Sequence, residues 1–187
     1  MGWTFTHRNK GQTTRQFFQN ECFGSSWEIV TDGFGAYDYD GKPWYGLARK
    51  VETGEHVAFV FLTKTSSAYM NFGWKEMDES MGPNADDCPA RVFAAIEKHI
   101  PVPPNDWAAS WRERVRATLA RKARAKALVP ETVVEFAEPI SFTNGDKLSR
   151  FVYMGGNCFV GVDTKIPYTI RQWKNNHFTV VEKEMAR

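Results

Sequence analysis

One segment constrains the fold more than any other, because residues 56 to 62 read His-Val-Ala-Phe-Val-Phe-Leu and are apolar on both faces of a strand. A strand of this kind must be covered on both sides, so we expect it in the middle of a sheet. Turn residues precede it at Glu52-Thr53-Gly54-Glu55, and its neighbours at 44–51 and 69–74 mix aromatic residues with glycine. The pattern predicts an antiparallel meander from about residue 27 to residue 74.

Three helices are predicted, near residues 13–23, 88–100 and 105–128. The first follows a Thr13-x-x-Gln16 capping box, and the second follows Asp87-Cys88-Pro89, a cap with proline in the opening turn. Asn105 or Asp106 can cap the third. Its expected apolar ladder is Trp107, Trp111, Val115, Leu119 and Ala123.

After Pro130 the hydrophobic period returns to two, with a turn at Asn144-Gly145. Five short strands are predicted here, and closing them into a small barrel would remove their exposed edges. The predicted class is therefore α+β. Residues 1–129 would form an antiparallel sheet with packed helices, and residues 130–187 a small five-stranded barrel-like domain.

Composition excludes several classes of protein. No apolar run reaches the ~20 residues of a spanning helix, and the start of the chain lacks a basic region followed by an apolar one. We therefore expect a cytoplasmic protein without a membrane partner. A net charge of +2 means that any argument for nucleic-acid binding must rest on a local feature.

No cofactor or metal site is predicted. The three cysteines form no C-x-x-C pair, and the four histidines have no metal-binding spacing. Gly33-Phe34-Gly35 lacks the third glycine and the following helix of a dinucleotide-binding loop, so it is predicted to be a turn.

A basic stripe on the third predicted helix is the strongest local charge feature, and Glu113 is the single acid among its cations. Such a stripe can bind a phosphate backbone or an acidic protein surface, and it can equally be a solvated helix face without a partner. Its members are Arg112, Arg114, Arg116, Arg121, Lys122, Arg124 and Lys126.

A second feature is the acidic turn between Lys75 and Pro83, which holds Glu76, Asp78 and Glu79. These carboxylates can act as general acids or bases, bind a divalent ion, or simply cap and form salt bridges. The catalytic candidates are His7, Lys75, Glu76, Asp78, Glu79 and Cys88. Cys88 precedes a predicted helix, where the dipole favours a thiolate, but a cysteine at a cap is also commonly a small buried residue.

Aromatic side chains in the last third, at Tyr153, Phe159, Tyr168 and Trp173, can stack bases if exposed or fill the core of a small domain. We expect at least half of them in the core.

Several motifs follow one another along the chain. They are Gly2-Trp3-Thr4-Phe5 with His7, Lys10 and Gly11, then Phe72-Gly73-Trp74-Lys75, Met77-Asp78-Glu79, Met81-Gly82-Pro83, Cys88-Pro89, Trp111-Arg112, Ile140-Ser141-Phe142-Thr143-Asn144-Gly145 and Tyr168-Thr169-Ile170-Arg171-Gln172-Trp173. In this order they resemble a family of uncharacterised proteins carried by bacteriophages, plasmids and integrative elements. The residue after Lys75 departs from that pattern, with Glu76 in place of aspartate. The resemblance implies an accessory role in transfer, replication or evasion of host defence.

Three hypotheses about function follow. The first is a non-enzymatic accessory protein of a mobile genetic element that engages nucleic acid, or a host nucleoprotein, through the basic helix. The second is a small enzyme with its active site at the acidic turn, and the third is a protein-protein interaction or inhibitor module. The sequence leaves the oligomeric state open.

Overall fold

The computed structural model describes residues 3–7, 11–36, 41–66 and 71–181. Leaving aside the segments between and beyond these ranges, the chain forms two compact units, Met1–Thr118 and Leu119–Arg187. The boundary falls within helix α3 (Asp106–Ala127), so the first turns of this helix belong to the first unit and its last turns to the second.

An antiparallel sheet of five strands forms the first unit, in the order β1-β5-β4-β3-β2. Strand β4 lies at its centre, so the prediction made from its two apolar faces is confirmed. The strands are β1 (Thr4–His7), β2 (Trp27–Phe34), β3 (Lys42–Lys50), β4 (His56–Ser66) and β5 (Asn71–Asp78).

One face of this sheet is covered by helix α1 (Thr14–Phe18), which continues as a π-helix over Gln19–Phe23. The predicted capping box is confirmed, with Thr13 and Gln16 satisfying each other's backbone groups. Phe18 is fully buried and stacks on Phe61 with ring centroids 4.3 Å apart. Aromatic packing therefore makes the core on this face.

Helix α2 (Ala90–His99) and the first turns of α3 supply buried apolar residues for the other face. Trp111 is buried and stacks on Tyr45 of β3 at 6.4 Å. Asn105 caps α3 by accepting from the backbone N–H of Ala108. The prediction that Trp107 faces the core is wrong, because its side chain is 69% exposed. None of the described helices is both long enough and apolar enough to cross a membrane.

The second unit contains another antiparallel sheet, in the order β10-β6-β7-β8-β9. Its core is aromatic and includes Phe136, Phe151, Phe159 and Trp173, with Ala125 of α3 buried in the same cluster. The strands are β6 (Thr132–Ser141), β7 (Lys147–Gly155), β8 (Cys158–Gly161), β9 (Pro167–Thr169) and β10 (Phe178–Val181).

The predicted α+β class with a C-terminal barrel is wrong. Strand outweighs helix, 41% against 29%, so the protein is mostly β. Among the described residues no ladder joins β9 to β10, and the second sheet keeps two edges instead of closing. The period-two pattern correctly indicates strands, but closure depends on strand tilt and stagger, which that pattern does not encode.

Candidate nucleic-acid interface and acidic turn

Arg112 and Glu79 form a buried ion pair in the first unit. The Nε of Arg112 donates to Oε2 of Glu79 at 2.7 Å, and its Nη2 donates to Oε1 at 2.8 Å. The remaining Nη1 donates to the carbonyl of Ile100 at 2.6 Å. The two side chains are only 1% and 5% exposed. Each charge is therefore neutralised by the other inside the protein, and neither is presented to a ligand.

The next two cations of the basic stripe also have partners within the first unit. Arg114 donates through Nη2 to the carbonyl of Pro83 at 2.6 Å. Arg116 forms an ion pair with Glu97 of α2 at 2.6 Å, although its side chain is 56% exposed. These contacts fasten the first half of α3 to the segments around it, so this half offers less charge to a partner than the sequence indicates.

The last turns of α3 present their cations differently. Lys122, Arg124 and Lys126 are exposed, while Arg121 is half-buried. No described carboxylate forms an ion pair with any of the three exposed cations. Arg124 donates through Nη1 to the carbonyl of Phe178 at 3.0 Å, which places its guanidinium beside the start of β10. Cations in a last turn also stabilise the helix through its dipole, by ~0.3–1 kcal/mol each.

Small side chains separate these cations on the helix surface. Ala120, Ala123 and Ala127 are exposed and, at spacings of three and four, share one face. At helical geometry Lys122 and Lys126 flank this alanine face on one side and Arg124 flanks it on the other. The arrangement lets an extended anion approach the helix closely while cations reach it from both sides.

Charge is distributed unevenly between the two units. From Leu119 to Arg187 the sequence has eleven Lys and Arg against seven Asp and Glu, whereas the part before Leu119 has more acids than bases. The small net charge of the whole chain therefore conceals a basic second unit.

The acidic turn is built where β5 ends at Asp78 and a 3₁₀-helix covers Glu79–Met81. Asp78, Glu79 and Ser80 help to line a cleft of about 210 Å³, and His56 at the start of β4 lines it too. The hydroxyl of Ser80 donates to Asp78 Oδ1. His56 was missed by sequence reasoning, because only the strand register brings it to this turn.

His56 stacks on His99, the last residue of α2, with ring centroids 4.5 Å apart. Burial lowers the pKa of His56 below its ordinary value, and the neighbouring charges of His99 and Arg49 lower it further. The neutral imidazole is therefore favoured in this cleft.

The cleft lining does not include the other described catalytic candidates, Lys75, Glu76 and Cys88. Lys75 and Glu76 are adjacent on β5, so their side chains leave opposite faces of the strand. Glu76 is exposed and lies near Cys22, and burial together with this carboxylate raises the pKa of the Cys22 thiol to about 11. A raised pKa keeps the thiol protonated at neutral pH, and the thiolate is the nucleophilic form. The side chain of His7 lies outside the described residues.

Cys88 is fully buried, and its thiol donates to the carbonyl of Pro89 at 3.8 Å. Beside it, Asp87 accepts from the Tyr45 hydroxyl at 2.7 Å and from the backbone N–H of Ala36. Burial, followed by this hydrogen bond, raises the pKa of Tyr45. The Asp87-Cys88-Pro89 segment therefore has a structural role in packing. Its aspartate bridges two other segments through hydrogen bonds and does not cap α2.

The aromatic residues considered for base stacking lie in the core of the second unit. Tyr153 is 9% exposed, Tyr168 7%, Trp173 1% and Phe159 0%, which confirms the expectation that at least half are core. A stacking platform built from these four side chains is therefore not available at the surface.

Residues 102–173 match a domain of unknown function (DUF6927), so such a domain is present in the chain. The match takes in α3 and strands β6 to β9. No curated protein and no solved structure is significantly similar to the chain.

Proposed function

We propose that this protein is a non-enzymatic accessory protein that binds nucleic acid through the last turns of α3. The observation that carries the proposal is the division of the basic stripe. Arg112, Arg114 and Arg116 have internal partners, whereas Lys122 and Lys126 are exposed and form no ion pair with a described carboxylate. An unneutralised cationic surface is what phosphate binding requires.

Binding of this kind is driven by the release of counterions from the nucleic acid. Three cations that each neutralise one phosphate give a slope of about −2.7 in log K against log salt for a duplex and about −2.1 for a single strand. Between 50 and 200 mM salt the affinity then falls by ~40-fold for a duplex and ~20-fold for a single strand.

The biological setting is part of the proposal. The resemblance to proteins of bacteriophages, plasmids and integrative elements supports a role in the cytoplasm of a bacterial host, in transactions of the mobile element's own nucleic acid or at a host nucleoprotein. At a host nucleoprotein, the last turns of α3 contact the nucleic-acid component of that assembly.

The test is fluorescence anisotropy with labelled single-stranded and double-stranded oligonucleotides across a salt series. The test variant is Lys122→Glu/Arg124→Glu/Lys126→Glu. Its matched control is Lys147→Glu/Lys165→Glu/Arg171→Glu, which reverses three exposed cations of the same unit and changes net charge equally.

We expect the test variant to lose binding and the control to keep most of it, because a local interface depends on position and not on net charge alone. Equal losses in both variants would assign the binding to overall charge. No binding of the unmodified protein at 50 mM salt would refute the proposed function.

A further inference from the structure

The second unit contains a cavity of about 420 Å³ beside the start of β10. One wall is a segment of β6, and the other is the stretch that leads from a 3₁₀-helix (Trp173–Asn175) into β10. The lining residues are Ala137, Glu138, Pro139, Ile140, Asn175, Asn176 and His177.

An irregularity in β6 makes the first wall. Glu135 pairs with Arg150 and Ile140 pairs with Leu148, so five steps along β6 correspond to two steps along β7. The extra residues leave the regular ladder, and Pro139 among them has no N–H to donate. A bulge of this kind re-aims side chains and interrupts the pairing of β6 with β7 beside the cavity.

The second wall is held by buried contacts. Trp173 is 1% exposed and donates through Nε1 to the carbonyl of Gly156 at 2.8 Å. The backbone N–H of Ala137 donates to the carbonyl of His177 at 2.9 Å, which joins the two walls. The cavity is therefore part of the folded structure, as expected of a binding site that is largely formed before its ligand arrives.

The polar side chains of the lining are all exposed, namely Glu138, Asn175, Asn176 and His177. None of the four side chains forms a hydrogen bond or ion pair with another described residue. Their donors and acceptors are thus open to a ligand, while Pro139 and Ile140 offer apolar surface to a flat ring. A carboxylate, two carboxamides and an imidazole around apolar surface match the edge and face of a nucleobase.

We infer that this cavity binds an unpaired guanine, an inference that rests on the proposed function and names the ligand more closely. The carboxylate of Glu138 only accepts hydrogen bonds, and guanine alone presents two adjacent donors, N1–H and the 2-amino group. Thymine and uracil flank their single N–H with carbonyls, and adenine and cytosine place a ring acceptor next to their amine. The amide N–H groups of Asn175 and Asn176 can donate to guanine O6.

Arg124, one of the exposed cations in the last turns of α3, contacts the residue next to the cavity lining. Arg124 donates to the carbonyl of Phe178, the residue that follows His177 of the cavity lining. A strand whose phosphates lie on the cationic turns therefore has a base within reach of the cavity. Phosphate contacts would position the strand and the cavity would read one base.

The test compares labelled dT12 with the same strand carrying one central guanine or one central inosine, which lacks the 2-amino group. A bidentate contact discriminates between bases by about 5- to 150-fold. We expect the strand with guanine to bind more tightly than dT12 by a factor in this range. The strand with inosine should lose part of this gain in affinity, and Glu138→Gln should abolish the preference for guanine. Glu135→Gln, the loss of an exposed carboxylate on the same strand, should leave it intact.

The outcomes separate the two proposals. Salt-dependent binding to dT12 without a guanine preference would overturn the cavity inference but leave the proposed phosphate interface intact. A guanine preference that survives Glu138→Gln would have the same two consequences. To test the cavity without the strand, ¹⁵N NMR titration with guanosine monophosphate should shift the backbone amide signals of residues 137, 138, 140 and 175–177, and inosine monophosphate should shift them less. The absence of such shifts with guanosine monophosphate would overturn the inference even if the oligonucleotides bind.

Discussion

Removing the carboxylate of Glu79 should destabilise the first unit more than any change at an exposed ion pair. Glu79→Ala leaves the guanidinium of Arg112 buried with the carbonyl of Ile100 as its remaining partner among the contacts described. Breaking a buried pair in this way typically costs ~3–5 kcal/mol, because an uncompensated charge stays inside the protein. If the free energy of unfolding falls by about 2 kcal/mol per M of urea, the urea concentration at the midpoint of unfolding decreases by roughly 1.5 to 2.5 M.

Two further variants separate the buried charge from lost packing. Glu97→Ala breaks the exposed pair with Arg116 by the same chemical change, and its cost should stay within ~1 kcal/mol. The double variant Glu79→Leu/Arg112→Met replaces both charges with apolar groups, and it should recover most of the stability lost in Glu79→Ala.

The assay is urea unfolding followed by tryptophan fluorescence, together with hydrogen exchange read by mass spectrometry. Exchange distinguishes the two units, since peptides of β3 and β4 should lose protection in Glu79→Ala while peptides of β6 and β7 keep it. If Glu79→Ala costs no more than Glu97→Ala, the pair contributes no more than a surface contact and the reasoning is refuted.

Two other predictions concern the same unit. Gly46→Ala should lower the free energy of unfolding, measured in urea, by at least ~1–3 kcal/mol, because a Cβ at this position would lie 2.6 Å from Cε1 of the buried Phe59 ring. A decrease below ~0.5 kcal/mol would contradict this packing. Burial and His99 lower the pKa of His56 below 6.5 in the folded state, so the unfolded chain takes up the proton first as the pH falls. The free energy of unfolding should therefore fall as the pH drops through and below about 6.5. His56→Gln should reduce this pH-dependent loss of stability, whereas His177→Gln, a change at an exposed histidine, should leave the loss unchanged. Identical pH profiles for the two variants would contradict the assignment of this loss to His56.

The features that sequence predicted correctly are local or periodic. The two apolar faces of residues 56–62 require burial on both sides, which places β4 at the sheet centre. The capping box at Thr13 and Gln16 involves neighbours three residues apart, so its geometry follows from the helix itself. Closure of the second sheet depends on the relation between its first and last strands, and no local pattern reports it.

In helix α3 the predicted apolar ladder is right in the middle, where Trp111 and Val115 are fully buried, and wrong at its two ends, where Trp107 and Ala123 are exposed. The predicted ladder contained Trp107, but the helix buries Ala108 beside Trp111 and leaves Trp107 exposed. The Arg112 guanidinium occupies a position among these buried residues because Glu79, thirty-three residues away in sequence, neutralises it there. A hydrophobicity pattern places every arginine on the surface, so it cannot identify a cation whose counter-charge comes from another segment.

The same argument divides the basic stripe into two functional classes that sequence cannot separate. Arg112 has its counter-charge inside the protein, and its removal should be measured as lost stability. Lys122 and Lys126 form no ion pair with a described carboxylate, so their removal should be measured as lost binding, with a loss of stability no larger than the ~0.3–1 kcal/mol that a cation at a helix end contributes. If charge reversal at Lys122 and Lys126 instead unfolds the second unit, the exposed cations serve the fold, and the phosphate interface has to be sought elsewhere on the molecule.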